Sequence, residues 1–194
     1  GRGDGTVDAV VTDPPYGISY QSGRSKGGPR FDAIEGDGSP AIEFLPDAFR
    51  LLRHGGGLFV FCEWRHQEVF RKAIEAVGAT VRSQCIWDRQ LHGMGDLERS
   101  FAPCHDVAWF ATKGEGFRFH GTRPQSVLRF DRVDAGKMVH PAEKPVALLR
   151  HIVSRLAAPG GVVLDPYAGS GSTGVAATLE GRGAILCEMV PEYA

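Results

Sequence analysis

An excess of charge of either sign is missing from this chain: 22 lysines and arginines stand against 23 aspartates and glutamates, a net charge of −1 over 194 residues. A protein that grips nucleic acid over a broad surface is usually basic, so any such contact here has to be local. Long apolar runs are missing too. The longest fall far short of the roughly 18 residues needed to cross a bilayer, and the first residues carry no signal-peptide pattern. Cysteine is sparse: Cys62, Cys85, Cys104 and Cys187 are scattered with no CxxC pair. That pattern argues against a disulfide framework and a zinc knuckle, and makes a reducing cytoplasm the expected compartment. The seven histidines show no helical i, i+4 pairing with an acidic partner, so no metal site is expected. The remaining composition, 42% hydrophobic and 23% charged, excludes a disordered tail, a collagen and a coiled coil. One domain, 1–194, is expected at this length. Gly1 in place of a methionine points to a trimmed fragment.

Along the chain, strands and helices alternate. Val7–Thr12 is a β-rich run that must end at Asp13-Pro14-Pro15-Tyr16, because two consecutive prolines cannot continue a ladder. The stretch from Gly17 to Gly38 is rich in Gly, Ser, Arg and Lys; a surface connection and a substrate gate fit it equally. Ser39-Pro40 reads as the start of a helix through Ile42, Leu45, Phe49 and Leu52, with Pro46 splitting it. After Gly55-Gly56-Gly57, the apolar run Leu58–Cys62 reads as a buried strand. Val69, Phe70, Ala73, Ile74 and Val77 fall at helical spacing, with Gly78 where a C-terminal cap belongs. Val81–Trp87 and Asp106–Thr112 are strand candidates, Pro145 opens an amphipathic helix, and Val162–Asp165 and Ala184–Glu188 flank a last helix. Six strands in this rhythm predict a parallel α/β sheet covered on both faces.

Two turns carry chemistry. Asp165-Pro166-Tyr167-Ala168-Gly169-Ser170-Gly171-Ser172-Thr173-Gly174 joins a strand to a helix. Glycines there let the backbone approach a ligand, and the helix start offers free N–H donors. Glu188 ends the next strand, placed to hold the two ribose hydroxyls of an adenosine. Gly169–Gly174 by itself also fits the dinucleotide fingerprint GxGxxG, so a nicotinamide-dependent oxidoreductase is one alternative; a tight connection with no ligand is another. No lysine follows the last glycine, so this is not a Walker A loop. Asp165 beside the loop suits an amino-bearing ligand better than a pyrophosphate, and an adenosine-containing cofactor is the expected occupant. The other turn, Asp13–Tyr16, is stiffened by Pro14 and Pro15. It can aim the Asp13 carboxylate and the Pro14 carbonyl at one point, two fixed acceptors for an exocyclic amino group, with the Tyr16 ring as a stacking face.

Together these turns resemble the S-adenosylmethionine-dependent DNA amino-methyltransferases. His140-Pro141-Ala142-Glu143-Lys144-Pro145 is similar to that family's HPxxKP motif. The catalytic motif comes first and the cofactor loop last, which is the family's β-class order. The resemblance implies an α/β, Rossmann-like methyltransferase sheet, mostly parallel, with helices on both faces and a circularly permuted motif order. It implies S-adenosyl-L-methionine lying over Gly169–Gly171, with Asp165 near the methionine portion and Glu188 on the ribose. Tyr167, Ala168, Ser170, Ser172 and Thr173 would complete that wall, with His140 and Lys144 toward the donor's carboxylate. The target base would be flipped out of the duplex, its amino protons accepted by Asp13 and Pro14. Asp-Pro-Pro-Tyr is the spelling usually associated with adenine N6, and Ser-Pro-Pro-Tyr is commoner for cytosine N4; adenine is the expectation and cytosine the alternative.

The segment 114–139 occupies the family's target-recognition position. Arg118, Arg123, Arg129 and Arg132 are interleaved there with Phe117, Phe119 and Phe130, a mixture suited to phosphate contacts and base stacking. The competing reading is a surface loop whose phenylalanines tuck into the core. Arg24, Lys26 and Arg30 would add backbone contacts. Double-stranded DNA is the implied partner; a homodimer and a cognate restriction endonuclease are further candidates, and no membrane is. The family's sheet has seven strands, so the missing one is expected before Asp4 or after Ala194. Pro103-Cys104 is the dipeptide that carries the nucleophile of carbon-5 cytosine methylases, but it enters a strand without that group's other motifs, and Cys104 is expected to be a buried structural cysteine. A rival from another class is a non-catalytic DNA-binding or cofactor-binding module of the same fold.

Overall fold

The computed structural model describes residues 3–17, 39–91, 96–134 and 143–190. Its elements are β1 (Val7–Thr12), α1 (Leu45–Leu51), β2 (Leu52–Cys62), α2 (Gln67–Ala76), β3 (Thr80–Asp88), β4 (His105–Thr112), β5 (Val127–Arg129), α3 (Val146–Leu156), β6 (Val162–Asp165), α4 (Ser172–Leu179) and β7 (Gly183–Leu186). They build a seven-stranded sheet in the order β5-β3-β4-β2-β1-β6-β7. All neighbours run parallel except around β4, which is antiparallel to both β2 and β3.

Alternation of side chains along each strand divides the core between the two faces. Ala9, Val11, Phe59, Phe61, Ala108 and Phe110 point to the side covered by α3 and α4. Val10, Leu58, Val60, Val107, Trp109 and Ala111 point to the side covered by α1 and α2. Helix α2 puts Phe70 and Ile74, both fully buried, against that second face. The Trp109 indole N–H donates to the Gln67 carbonyl at 2.8 Å and pins the helix start to β4.

Four expectations need correction. The seventh strand is β5, inside the arginine-rich segment rather than before Asp4 or after Ala194. Three residues with one buried side chain, Leu128, give no period to read, and β5 exists because Ile86–Asp88 of β3 offers it a free edge. Helix α1 starts at Leu45, not at Ser39-Pro40; Pro46 sits in its first turn and opens the helix instead of splitting it, since no hydrogen bond is lost there. The glycines Gly55–Gly57 belong to β2. Gly55 takes φ +72°, and the β1 register jumps from Val7↔Leu52 to Ala9↔Gly57, so the run is a bulge within a longer strand. Cys104 is exposed, in the irregular stretch before β4, whereas Cys62 and Cys85 are buried; burial pushes the thiols of those two up to about 12 and about 11.

Candidate active site

Strand β1 lies between β2 and β6, parallel to both. The chain passes from β1 to β2 on one side and from β6 to β7 on the other, so the order reverses at the β1/β6 boundary. Open α/β sheets bind ligands in the crevice outside the carboxyl ends of strands at such a point. The register Val10↔Leu164 brings the ends of β1 and β6 level, so the Asp13–Tyr16 turn and the Asp165–Gly174 loop leave the sheet side by side.

Hydrogen bonds weld the two. Thr12 and Asp165 are buried, and the Thr12 hydroxyl donates to Asp165 Oδ1 at 2.7 Å. Thr173, at the start of α4, donates to Oδ2 at 2.6 Å, and the Tyr167 amide donates to Oδ1 at 3.1 Å. Burial nevertheless dominates and raises the Asp165 carboxyl to about 7; the three donors pull it down, and nearby Asp13 adds to the rise. Gly169 at φ +50° and Gly171 at φ +75° shape the loop, and Gly171 precedes α4 directly. The Gly169 amide donates to Glu188 Oε2 at 2.7 Å, and the Val190 amide to Oε1 at 2.8 Å. Each oxygen thus retains acceptor capacity. The Ser170 and Ser172 hydroxyls are bonded to each other at 2.8 Å. The Tyr167 ring packs edge-on against Phe44 with centroids 5.3 Å apart. Burial, then Glu43, raises its hydroxyl.

Lys144 closes the third side. It precedes Pro145, which bars the helical conformation one residue earlier, so the chain stays extended until α3 begins at Val146. Its side chain is 8% exposed and ion-pairs with Asp13 Oδ2, while Tyr16 donates its hydroxyl to Asp13 Oδ1. The ammonium lies 3.3 Å from the Tyr16 oxygen and 5.2–5.9 Å from the ring centres of Phe61, Tyr16 and Trp87. Burial and the Asp13 carboxylate together push the Tyr16 phenol well above its ordinary value.

One cavity of about 50 Å³ is lined by Asp13, Lys144, Asp165, Gly169, Ser170 and Thr173, with Thr12, Phe61, Glu143 and Leu149 among its other walls. Pro14 is buried and Pro15 half-buried in the turn itself. His140, Arg24, Lys26 and Arg30 lie outside the described residues. Arg118, Arg123, Arg129 and Arg132 are exposed and none of them lines this cavity. Arg129 faces Asp88 at 3.6 Å. Phe117, Phe119 and Phe130 are half-buried against the core. Sequence reasoning overlooked Thr12, Phe61 and Trp87. Thr12 had a signal, a hydroxyl closing an otherwise apolar strand face just before the motif; the two aromatics had none, because each looks like any core residue.

Comparison with known proteins agrees with this arrangement. YubD of Escherichia coli (strain K12) is 29% identical over 189 residues, 96% of this chain and 78% of its own length. The type II methyltransferase M.HpaI of Haemophilus parainfluenzae is 24% identical over 213 residues; the chain spans 66% of that relative's length. Among solved structures, the M1.HpyAVI–SAM complex superposes with a TM-score of 0.72 at 26% identity, over 97% of this chain and 85% of that one. The cytosine-N4-specific PvuII DNA methyltransferase shares the fold with a TM-score of 0.77 at 19% identity, over 98% and 78%. The family model described as DNA methylase matches residues 7–194. With nearly the whole chain inside that match, and its two motif-bearing strands adjacent in the sheet, the protein belongs to the DNA methylase family.

Proposed function

We propose that the protein transfers a methyl group from S-adenosyl-L-methionine to the exocyclic amino group of a DNA base, and that the base is adenine, methylated at N6. The observation that carries this reading is the shared cavity: Asp13, from the end of β1, and the Asp165–Thr173 loop, from the end of β6, line the same small space. The residues fit the cofactor. Glu188 keeps acceptor capacity on both oxygens for a ribose diol, and Gly169 brings backbone to the wall of the cavity without a side chain. When bound, the cofactor supplies an electrophilic methyl carbon on a sulfonium.

The chain's own residues supply position and proton acceptors. Asp13 and the Pro14 carbonyl accept the two amino hydrogens, which draws the nitrogen lone pair out of conjugation with the ring. The proline pair holds both oxygens still, so alignment costs no reorganisation at the moment of reaction. In the structure Asp13 is paired with Lys144 and Tyr16, so an incoming amino group must take over part of that bonding. Lys144 keeps a positive charge beside Asp13 and holds one of its oxygens in place.

Digesting methylated DNA and identifying the product nucleoside by mass spectrometry tests the reading: N6-methyladenine is expected, and N4-methylcytosine would transfer the same mechanism to the other base. Asp13→Ala should abolish transfer while donor affinity stays nearly intact. Activity within about tenfold of the parent, roughly 1.4 kcal/mol of barrier, would remove Asp13 from this role.

A further inference from the structure

The face of the sheet beside α3 holds a second cavity, about 880 Å³ in volume, which shares no lining residue with the first. That size falls in the range of small-molecule sites, roughly 300–1,000 Å³. Its floor is aromatic: Phe110, Phe117 and Phe119 pack with ring centres 5.0–5.3 Å apart, over Leu128 and Ile152. Its rim is cationic. Arg82, Arg118, Arg123 and Arg155 converge on it, and Glu115 is the one acidic residue in the lining.

These four guanidinium groups are unlike most of the others in the protein. Arg50, Arg53, Arg71 and Arg150 each have a carboxylate partner, whereas none of the four rim arginines is in an ion pair among the described residues. Arg82 spends one donor on the Thr112 hydroxyl at 3.0 Å, and Arg118 one on the Phe117 carbonyl at 2.9 Å. The Arg155 Nε is buried with no hydrogen-bond partner among the described residues. A guanidinium carries five N–H donors, so most of the rim's donors have no partner among the described residues. Gathering four like charges around one opening costs free energy that an anion seated there returns. His151 is also in the lining, where burial and then Arg155 push its pKa down.

The ligand chemistry follows from the two halves. Guanidinium forks match phosphate oxygens bidentately, and a phosphate carrying about −1.5 to −2 answers several arginines, which a single carboxylate does not. Phenyl faces suit a planar ring beside it. We propose that this cavity is a second ligand site that takes a nucleotide, its base against Phe117 and Phe119 and its phosphate on the arginine rim. The same chemistry is presented by a free nucleotide and by a nucleotide of a DNA strand. The proposal goes beyond the methyl-transfer reading and does not depend on it.

Calorimetric titration of the whole chain tests it, with S-adenosylhomocysteine saturating so that the donor cleft is not the site measured. Thymidine 5′-monophosphate should bind, and thymidine, lacking the phosphate, at least tenfold more weakly. The double variant Arg118→Ala/Arg123→Ala, both exposed side chains whose loss should leave the melting temperature unchanged, should lose at least tenfold in affinity. An eight-residue oligothymidylate distinguishes the sources: equal affinity for monomer and oligomer identifies a free nucleotide, and an oligomer at least tenfold tighter, again lost in the variant, identifies a strand. No binding by either probe, unchanged affinity in the double variant, or preference for dodecanoate over the nucleotide would overturn the proposal. Asp13→Ala should keep this affinity, so loss of methyl transfer and loss of nucleotide binding are read separately.

Discussion

At the residue level, the two aspartates of the cleft have opposite surroundings, and each makes its own prediction. Asp13 faces a cation, the Lys144 ammonium. Removing that cation by Lys144→Met leaves Asp13 with the Tyr16 hydroxyl as its one side-chain partner among the described residues, so kcat should fall by about tenfold or more, roughly 1.4 kcal/mol of barrier. The KM for the donor should move less; steady-state kinetics with the donor varied would show the reverse if Lys144 served the donor instead. Asp165 is in no ion pair among the described residues and is held by three neutral donors. Its folded pKa, about 7, lies above its ordinary value of 3.8, so between these pH values the native state binds more protons than the unfolded chain. Stability therefore falls as pH rises through that window and levels off above about 7. Urea denaturation at several pH values should show this slope in the parent and a flatter one in Asp165→Asn.

Elements here are held by close approach as much as by apolar area. At Gly56 in β2, an added Cβ would stand 2.9 Å from the backbone oxygens of Asp8 and Arg53 and 2.5 Å from Leu52 Cδ1. Backbone cannot move aside without breaking the β1–β2 ladder. Gly56→Ala should destabilise the protein by about 1–3 kcal/mol, the usual cost of overpacking, and shift the denaturation midpoint accordingly. Helix α2 fails in the other way. Its seat on the sheet is Phe70 and Ile74, each 0% exposed, and Phe70→Ala should cost about 3–5 kcal/mol with no change in donor binding by the surviving folded fraction. The periodicity of α2 and α3 was legible because each has one apolar stripe. β5 was not, because a three-residue edge strand acquires its identity from its partner β3 rather than from its own pattern.

Over the whole molecule, near-neutral charge makes any grip on DNA depend on a few side chains. Arg132 is exposed and in no ion pair among the described residues. If it meets a phosphate, Arg132→Ala should weaken binding about equally for all sequences and reduce the slope of log K against log salt by about 1, measurable by fluorescence anisotropy across a salt series. The phenylalanines of the same segment are half-buried against the core, with Phe117 and Phe119 also lining the second cavity, while its arginines are exposed.

Local chemistry determined the shapes of the two turns: paired prolines end β1 wherever it lies, and the glycines of the late loop permit positive φ before α4 in any setting. The alternation of apolar residues likewise set which residues of β1 and β2 would face each layer. What no local pattern contains is adjacency. Thr12 and Asp165 are 153 positions apart in the chain, and Asp13 and Lys144 are 131 apart, yet each pair is in hydrogen-bond contact. The first contact exists because β1 and β6 are neighbours in the sheet, and the second because α3, which Lys144 precedes, packs on the same face; this strand order buries both apolar faces beneath the described helices. Burial of the sheet, a property of the complete tertiary structure, is what sets a carboxylate beside the glycine loop and raises the pKa of another within it.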